Sequence, residues 1–271
     1  MSLNTSMSEL NKNQPNQHNS FNYDYLYCFK FIVVGDSSCG KTCLLLRLVD
    51  NKFDERHDMT IGVEFGIYKF LFSKSENKNQ IYRFIPTNSS NNGHCQSNNS
   101  EITISNKFDN APIKLHVWDC AGQENFRSIT RSYFRNSAGC LLVYDVSRSE
   151  TFRNIEIWLN DIRNHCHENL VITLVANKVD LVSRRIISRE EGENLAKKYG
   201  LEYIETSAKT GVGVKQAFEN TAIKIVEKID AGDITHLSDA NGIRQNGKIA
   251  INGYYDNSQN KSSIWNCWKF W

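Results

Sequence analysis

One short segment constrains this 271-residue chain more than any other. Eight consecutive residues fit the phosphate-loop pattern G-x-x-x-x-G-K-[ST], and they are Gly35, Asp36, Ser37, Ser38, Cys39, Gly40, Lys41 and Thr42. An apolar run over residues 29–34 precedes the segment and a helical pattern over 43–49 follows it, as a strand and a helix do around such a loop. A plain glycine turn before a helix is the alternative, and these flanking patterns disfavour it.

The chemistry of this loop predicts binding of a nucleoside triphosphate. Backbone N–H groups of the loop and the N-terminus of the helix that Cys43 opens would face the phosphates. Lys41 is expected to meet the β- and γ-phosphates as a point charge, and the Thr42 hydroxyl to bind Mg²⁺.

Composition divides the chain into one domain and three polar segments. Asn, Ser and Gln are concentrated at both ends and in one internal stretch, which bury too little apolar surface to offset the entropy of ordering. We therefore predict a disordered extension over 1–24, a domain over 25–230 with a low-complexity insertion over 73–110, and a flexible tail over 231–271. The net charge of +2 argues against nucleic-acid binding driven by an overall positive field. Cysteines in and beside the phosphate loop favour a reducing compartment.

Apolar runs alternate with helical patterns along the domain. Six runs predict strands over residues 29–34, 63–72, 113–118, 139–145, 171–176 and 202–206. Helical stripes cover 151–165 and 214–229, and Ser188 with Glu191 forms a capping box for a helix that Gly200 ends. This alternation predicts an α/β fold in three layers, with a six-stranded, mostly parallel sheet. Only the strands over 63–72 and 113–118 lack a helix between them, so they should form an antiparallel edge hairpin.

A second motif selects the base. Asn177, Lys178 and Asp180 fit N-K-x-D directly after a predicted buried strand. The Asp180 carboxylate can accept from N1–H and the exocyclic amine of guanine, a donor pair that adenine lacks, and Lys178 can lay its stem over the base. The last predicted strand is followed by Ser207, Ala208 and Lys209. This segment would supply a backbone N–H to the guanine carbonyl. For N-K-x-D alone, an ordinary polar turn is the alternative.

Two further motifs concern the γ-phosphate. Asp119 follows the strand over 113–118 and is expected to hold Mg²⁺ through a water. The Gly122 N–H would sense the γ-phosphate, and Gln123 would orient the attacking water. Thr60 would close over Mg²⁺ only while the γ-phosphate is present, although a simple loop threonine before a strand is the alternative.

These four motifs, in this order and spacing, resemble the Ras-like small GTPases over about 25–229, apart from the insertion. Within them the chain is similar to Rab proteins, on the segments IGVEF (61–65), FRSIT (126–130), YFR (133–135) and LVYD (142–145). The segments 57–58, 60–66 and 239–243 are most similar to the Rab branch acting between endoplasmic reticulum and Golgi.

The resemblance implies a Ras-like G domain of the P-loop NTPase class that binds GTP or GDP with Mg²⁺ and hydrolyses GTP to control vesicle traffic. It places Phe53 edge-on to the guanine. It also implies an effector contact made by Ile61, Phe65, Trp118 and Tyr133, for whose three aromatic rings core packing is the alternative. The implied partners are effectors, an exchange factor and a GTPase-activating protein. We expect a cytoplasmic monomer that cycles to the cytoplasmic face of endomembranes, so a membrane surface is a further candidate partner.

Three questions stay open at this level. A GTP-binding scaffold with little or no hydrolysis is the main alternative function, and a metabolic P-loop kinase is a weaker one. The insertion over 73–110 is expected to be a spacer, with a binding segment as the alternative. Cys267 is the fifth residue from the end of the sequence, so we expect no terminal cysteine motif for prenylation. This leaves the mode of membrane attachment, and whether these last residues are the native end, undecided.

Overall fold

The computed structural model describes residues 25–55, 60–72 and 111–245, and within these ranges a seven-stranded sheet forms the centre. The strands are β1 (Tyr27–Val34), β2 (Val63–Phe72), β3 (Ala111–Cys120), β4 (Gly139–Asp145), β5 (Val171–Asn177), β6 (Glu202–Glu205) and β7 (Ile243–Gln245). The helices are α1 (Lys41–Asp50), α2 (Arg127–Phe134), α3 (Ser149–Arg153), α4 (Ile155–His165), α5 (Arg189–Tyr199) and α6 (Val214–Ala231). Short 3₁₀ turns cover Glu124–Phe126, Val182–Arg184 and Asp239–Asn241.

The strand order is β2-β3-β1-β4-β5-β6, with β7 alongside β1. Strands β2 and β3 are antiparallel, with Phe65 opposite Trp118, whereas β3, β1, β4, β5 and β6 run parallel. The predicted α/β fold with a mostly parallel sheet and an antiparallel edge hairpin is therefore confirmed. The carboxyl ends of the parallel strands share one edge, and the phosphate loop and the segments after β3, β5 and β6 all begin there.

Helices cover both faces of the sheet because their apolar stripes pack against it. Helices α1 and α6 lie on one face, where Phe31 stacks on Phe218 with ring centroids 6.5 Å apart. Helices α4 and α5 lie on the other face, around the buried side chains of Trp158 and Tyr144. The predicted stripe of α4 is confirmed, since all its members are buried, namely Ile155, Trp158, Leu159 and Ile162.

The helix boundaries follow the predicted signals with one exception. Ser188 and Glu191 form the predicted capping box of α5, and Gly200 ends that helix with a φ of 68°. The single helix predicted over 151–165 is wrong, because the structure forms α3 and α4 with Asn154 between them. The amide of Asn154 bonds to Asp36 of the phosphate loop, a long-range contact that the helical periodicity does not encode.

The strand β7 corrects a second boundary. A flexible tail is predicted from residue 231, but Ile234 and Ile243 are buried in the core and Leu237 packs against it. Strand β4 starts opposite Phe31, so the first residues of β1 have a free edge on that side. Strand β7 fills it in antiparallel pairing, with Ile243 opposite Phe29 and Gln245 opposite Tyr27. An unpaired strand edge exposes backbone hydrogen-bonding groups, and β7 satisfies them.

The turn into β7 depends on a glycine. Gly242 has a φ of 69°, and a Cβ at this position would lie 2.4 Å from the carbonyl oxygen of Asn136. The predicted extension over 1–24, the insertion over 73–110 and the remaining tail over 246–271 lie outside the described residues. Among the residues that are described, we find no helix with the length and apolar character needed to cross a membrane.

A buried acid connects the edge hairpin to α6. Glu219 of α6 is fully buried, and the Tyr68 hydroxyl of β2 donates to its Oε1 at 2.5 Å. Its other oxygen, Oε2, has no hydrogen-bond partner in the described part of the chain. Burial raises the pKa of Glu219 to about 7, although the Tyr68 hydrogen bond and the positive charge of Lys215 act in the opposite direction. The folded protein therefore holds this carboxyl protonated in mildly acidic solution.

This pair predicts a pH dependence of stability. The Glu219 pKa is higher in the folded than in the unfolded chain, so stability should fall as pH rises from about 4.5 to about 7 and then level off. Glu219→Gln keeps an acceptor for Tyr68 but cannot ionise. Its free energy of unfolding, measured in urea at fixed nucleotide and Mg²⁺, should exceed that of wild type at pH 8 by on the order of 3 kcal/mol, and by much less at pH 5.

The matched control is Glu227→Gln, which changes an exposed carboxylate on the same helix. Its stability should follow that of wild type at both pH values. If the free energy of unfolding of Glu219→Gln differs from that of wild type by the same amount at pH 5 and pH 8, the raised pKa is contradicted.

Candidate functional site

The phosphate loop joins β1 to α1 at the carboxyl edge of the sheet. Gly35 and Gly40 have φ values of 140° and 88°, which favour glycine. A Cβ at Gly35 would lie 2.1 Å from the Val143 carbonyl oxygen, so a larger residue does not fit there. Lys41 is buried, and its Nζ donates to the Asp36 carbonyl oxygen at 2.9 Å. The ammonium group is thereby held across the loop.

The three predicted magnesium ligands converge beside this loop. The hydroxyl oxygens of Thr42 and Thr60 lie 2.7 Å apart, and the Thr42 hydroxyl donates to Asp119 Oδ2. Asp119 is fully buried at the end of β3. A carboxylate and two hydroxyls form an all-oxygen donor set, and Mg²⁺ takes such ligands together with water and phosphate oxygens. The residues present therefore fit this cation.

The predicted base-binding residues are tied together by Asn177 at the end of β5. Its Nδ2 donates to the Cys39 carbonyl at 2.8 Å, and its Oδ1 accepts from Thr206 Oγ1 at 3.1 Å and from the Ala208 N–H at 3.3 Å. One amide thus fixes the phosphate loop and the segment after β6 to each other. Asn177 is fully buried, and its contacts are structural ones between loops.

Asp180 lies three residues beyond Asn177 and lines the cleft described below. The Ser207 hydroxyl donates to Asp180 Oδ1 at 2.6 Å, which fixes the orientation of the carboxylate. The predicted backbone contact of the segment 207–209 with guanine stays a prediction; Ser207 itself is not among the residues that line the cleft, and its side chain supports Asp180.

Lys178 has two anchors that the motif did not reveal. Its Nζ lies 2.8 Å from Asp145 Oδ2 and donates to the Ser38 carbonyl at 2.8 Å. Asp145 ends β4 and is 1% exposed, and the Ser147 N–H and hydroxyl donate to its other oxygen. The sequence signal for Asp145 is a carboxylate at the end of the apolar run that forms β4, and no prediction was made for it.

Arg47 of α1 is a second residue that sequence reasoning missed. Its Nε donates to the Ala208 carbonyl at 2.9 Å and its Nη2 to the Lys209 carbonyl at 2.8 Å. The guanidinium therefore holds the loop after β6 from the side of α1. An arginine in a helix gives no local indication of such a distant partner.

All these elements border one cleft of about 450 Å³, a volume typical of small-molecule sites. The predicted residues that line it are Ser37, Ser38, Gly40, Lys41, Thr42, Cys43, Phe53, Thr60, Gly122, Gln123, Asn177, Lys178, Asp180, Ala208 and Lys209. Asp54, Glu55, Leu181 and Arg184 also line it and were not predicted. The structure thus brings residues from four separate motifs into a single cavity.

Gly122 lies directly against the phosphate loop. A Cβ there would be 2.5 Å from the Gly35 oxygen, the Asp36 carbonyl carbon and the Ser37 nitrogen. Any side chain would push this segment away from the loop, so a glycine is required for the approach. The next residue, Gln123, lines the cleft beside it.

Two predicted binding residues of the loop direct their side chains elsewhere. Cys39 is fully buried in the core, where burial raises the pKa of its thiol to about 11. The Asp36 carboxylate accepts hydrogen bonds from α4 and the residue before it. Neither residue is among those that line the cleft.

A comparison with protein families decides what kind of molecule this is. A model of the Ras family matches residues 30–83 and 83–227, which together exceed half of the chain. The chain belongs to the Ras family. Its architecture is the Ras-like G domain. Members of this family are in general GTPases that bind guanine nucleotide and Mg²⁺, act as switches, and have effectors, exchange factors and activating proteins.

This Ras-family protein also presents a row of aromatic rings from β2, β3 and α2. The ring centroids of Phe65 and Trp118 are 4.9 Å apart, and those of Trp118 and Tyr133 are 5.2 Å apart. Trp118 and Tyr133 are partly buried against the core, whereas Phe65 is 48% exposed and Ile61 is 83% exposed. The rings therefore take part in core packing at one end of the row and present apolar surface at the other.

Proposed function

We propose that this Ras-family protein binds GTP with Mg²⁺ and hydrolyses it to GDP and phosphate. One observation supports this most strongly. A single cleft contains the carboxylate that suits guanine and the phosphate loop with its lysine. It also contains two of the three oxygen ligands that suit Mg²⁺, Thr42 and Thr60, and Thr42 bonds directly to the third, Asp119. Adenine would leave Asp180 without its donor pair, and the cost of a carboxylate covered by the base but not bonded to it makes the choice sharp.

In this proposal each residue has a distinct task. Asp180 recognises the base, and Ser207 orients the Asp180 carboxylate. Phe53 lies against the base at the mouth of the cleft. Lys41 and the loop N–H groups bind the phosphates. Thr42, Thr60 and Asp119 would hold Mg²⁺, which when bound neutralises charge that develops on the phosphates. Gln123 positions the attacking water.

The same contacts would make the protein a switch. Thr60 and Gly122 belong to two segments, 53–60 and 119–131, that meet the γ-phosphate end of the cleft, although residues 56–59 lie outside the described chain. Loss of the γ-phosphate removes the ligand that holds both segments, and they loosen. We expect an activating protein to supply an arginine, worth about 10³–10⁵ in rate.

The direct test uses the purified full chain. GTP and GDP should bind much more tightly than ATP and ADP when Mg²⁺ is supplied, and phosphate release from GTP should depend on Mg²⁺. Equal binding of guanine and adenine nucleotides would refute the base assignment. Tight GTP binding with no phosphate release, even with an activating protein, would favour a GTP-binding scaffold.

We further propose that the protein is a Rab-type switch in vesicle traffic, acting on the cytoplasmic face of endomembranes between endoplasmic reticulum and Golgi. The segment Ile61 to Phe65, the similarity of residues 239–243 and the aromatic row support this proposal. An exposed apolar surface next to the switching segments is suited to a partner that recognises the GTP-bound form.

This proposal predicts that Phe65 contributes to partner binding. Phe65→Ala removes the most exposed ring of the row, and aromatic anchors of this kind commonly dominate an interface. The relevant partners are proteins from cell extract that the chain retains when loaded with a non-hydrolysable GTP analogue but not when loaded with GDP. The amount of these proteins that the variant retains, measured by quantitative mass spectrometry, should be about tenfold lower than for wild type. Ile157→Ala on α4 is the control, because its side chain is also 48% exposed. Equal losses in both variants, or none in either, would contradict the assignment.

A further inference from the structure

The phosphate loop is attached to the outer helical layer through one carboxylate. Trp158 Nε1 donates to Asp36 Oδ1 at 2.7 Å, and Asn154 Nδ2 donates to Asp36 Oδ2 at 2.8 Å. Trp158 is 1% exposed, so this contact lies inside the domain. Both carboxylate oxygens are engaged by groups on α4 or directly before it, and none of the three residues lines the cleft.

The backbone of the same residue faces the other way, toward the proposed γ-phosphate position. The Asp36 carbonyl oxygen accepts from Lys41 Nζ at 2.9 Å. The Gly122 backbone packs against the Asp36 carbonyl carbon so closely that a Cβ on the glycine would lie 2.5 Å from it. Asp36 therefore connects α4 on one side with the lysine and the Gly122 segment on the other.

A loop of this kind needs such an external constraint. Gly35, Ser38 and Gly40 have positive φ values, and glycine positions lose much conformational freedom when they are fixed. Sites that bind charged groups work best when their donors are held in place before the ligand arrives. A charged acceptor with two good donors gives strong, directional hydrogen bonds.

We propose that Asp36 is a positioning residue, and that its hydrogen bonds to Trp158 and Asn154 hold the phosphate loop in the geometry that retains nucleotide and supports hydrolysis. This inference rests on the proposed function for its kinetic consequences. The Asp36 carboxylate bonds Asn154 and Trp158 and does not line the cleft. Its effect passes through the loop backbone and through the carbonyl that bonds Lys41.

The central experiment exchanges the carboxylate of Asp36 and the amide of Asn154. Asn154→Asp places a second carboxylate opposite Asp36, so the like charges repel and the donor is lost. Adding Asp36→Asn restores one donor and one acceptor with their positions reversed, and the introduced amide oxygen can still accept from Trp158. Release of a fluorescent GDP analogue and single-turnover GTP hydrolysis are measured on the full chain with Mg²⁺. Asn154→Asp should speed release by about tenfold and slow hydrolysis. The double variant should return to within about threefold of wild type.

A second measurement does not depend on nucleotide. Amide hydrogen exchange of residues 35–42 is followed in nucleotide-free protein by mass spectrometry. Protection should fall in Asn154→Asp and recover in the double variant, while protection of β4 stays as in wild type in both. A parallel change in β4 would indicate a change in global stability and would count against the positioning role. If wild type retains no guanine nucleotide, the proposed function fails, while this exchange measurement still decides the positioning role.

Two milder variants cover the case in which Asn154→Asp does not fold. Asp36→Ala removes the acceptor, and Trp158→Phe removes the indole N–H while keeping a ring in the core. Both should speed release, by about tenfold and about threefold respectively. Glu156→Gln is the control on α4, because Glu156 is exposed and bonds Lys198 and Tyr199 away from the loop. Unchanged release, hydrolysis and exchange in Asp36→Ala and Trp158→Phe would overturn the inference, as would a double variant no better than Asn154→Asp.

Discussion

Replacing Asp180 with asparagine should lower the affinity for GTP and GDP by about 10³-fold, since two charge-assisted hydrogen bonds to guanine are affected. The carboxylate is held ready for the base by the Ser207 hydroxyl at 2.6 Å. An amide can present only one acceptor, and its NH₂ group would face the exocyclic amine of guanine, so two donors would oppose each other. The loss is thus larger than that of a single neutral hydrogen bond.

The same change should improve binding of a different base. Xanthine has a carbonyl where guanine has its amine, so the introduced NH₂ group would find an acceptor. Competition between GTP and xanthosine triphosphate for the variant, measured by displacement of a fluorescent nucleotide, should therefore shift toward xanthosine triphosphate. Asp50→Asn, an exposed position at the end of α1, is the matched control and should bind GTP as wild type does. Unaltered GTP affinity in Asp180→Asn would remove this residue from base recognition.

Replacing Gln123 with leucine should slow GTP hydrolysis by about 10²-fold while leaving GTP affinity nearly unchanged. Gln123 lines the cleft next to Gly122, which packs on the phosphate loop. Leucine has a similar size but neither accepts nor donates a hydrogen bond, so the attacking water loses its orientation. The bound nucleotide keeps its contacts with Lys41, Thr42 and Asp180, and its dissociation constant should stay the same.

Phosphate release in single turnover, with and without an activating protein, measures this effect. Gln216→Leu makes the same chemical change at an exposed position on α6 and should hydrolyse GTP at the wild-type rate. Equal turnover by Gln123→Leu and wild type under both conditions would exclude Gln123 from the mechanism. A large loss of GTP affinity would instead indicate that Gln123 supports binding rather than hydrolysis.

Much of this site was predictable because the residues that carry its chemistry occur in short motifs at the ends of strands. Lys41, Asp119 and Asp180 each follow an apolar run, and parallel strands bring their carboxyl ends to one edge. The structure places residues of these motifs around one cleft. The alternation of strands and helices likewise sufficed to predict the sheet and its edge hairpin.

The residues that support the motifs were not predictable in the same way. Asp36 meets Trp158 across 122 positions of sequence, and Arg47 reaches Lys209 across 162. Such contacts have no local signature, because they depend on how helices pack against the sheet. Helical periodicity also hid the break at Asn154, where a tertiary hydrogen bond coincides with the boundary. Strand β7 has only three residues, too few for an alternating pattern to be recognised.

The pairing of β7 determines where the polar segments are attached. Gln245 lies opposite Tyr27, Tyr27 lies opposite Ile113, and Phe72 lies opposite Ala111. Residues 25, 72, 111 and 245 therefore all lie at the end of the sheet opposite the phosphate loop. A fluorescent label, an affinity handle or a membrane tether joined there would leave both the mouth of the cleft and the aromatic row open to solvent.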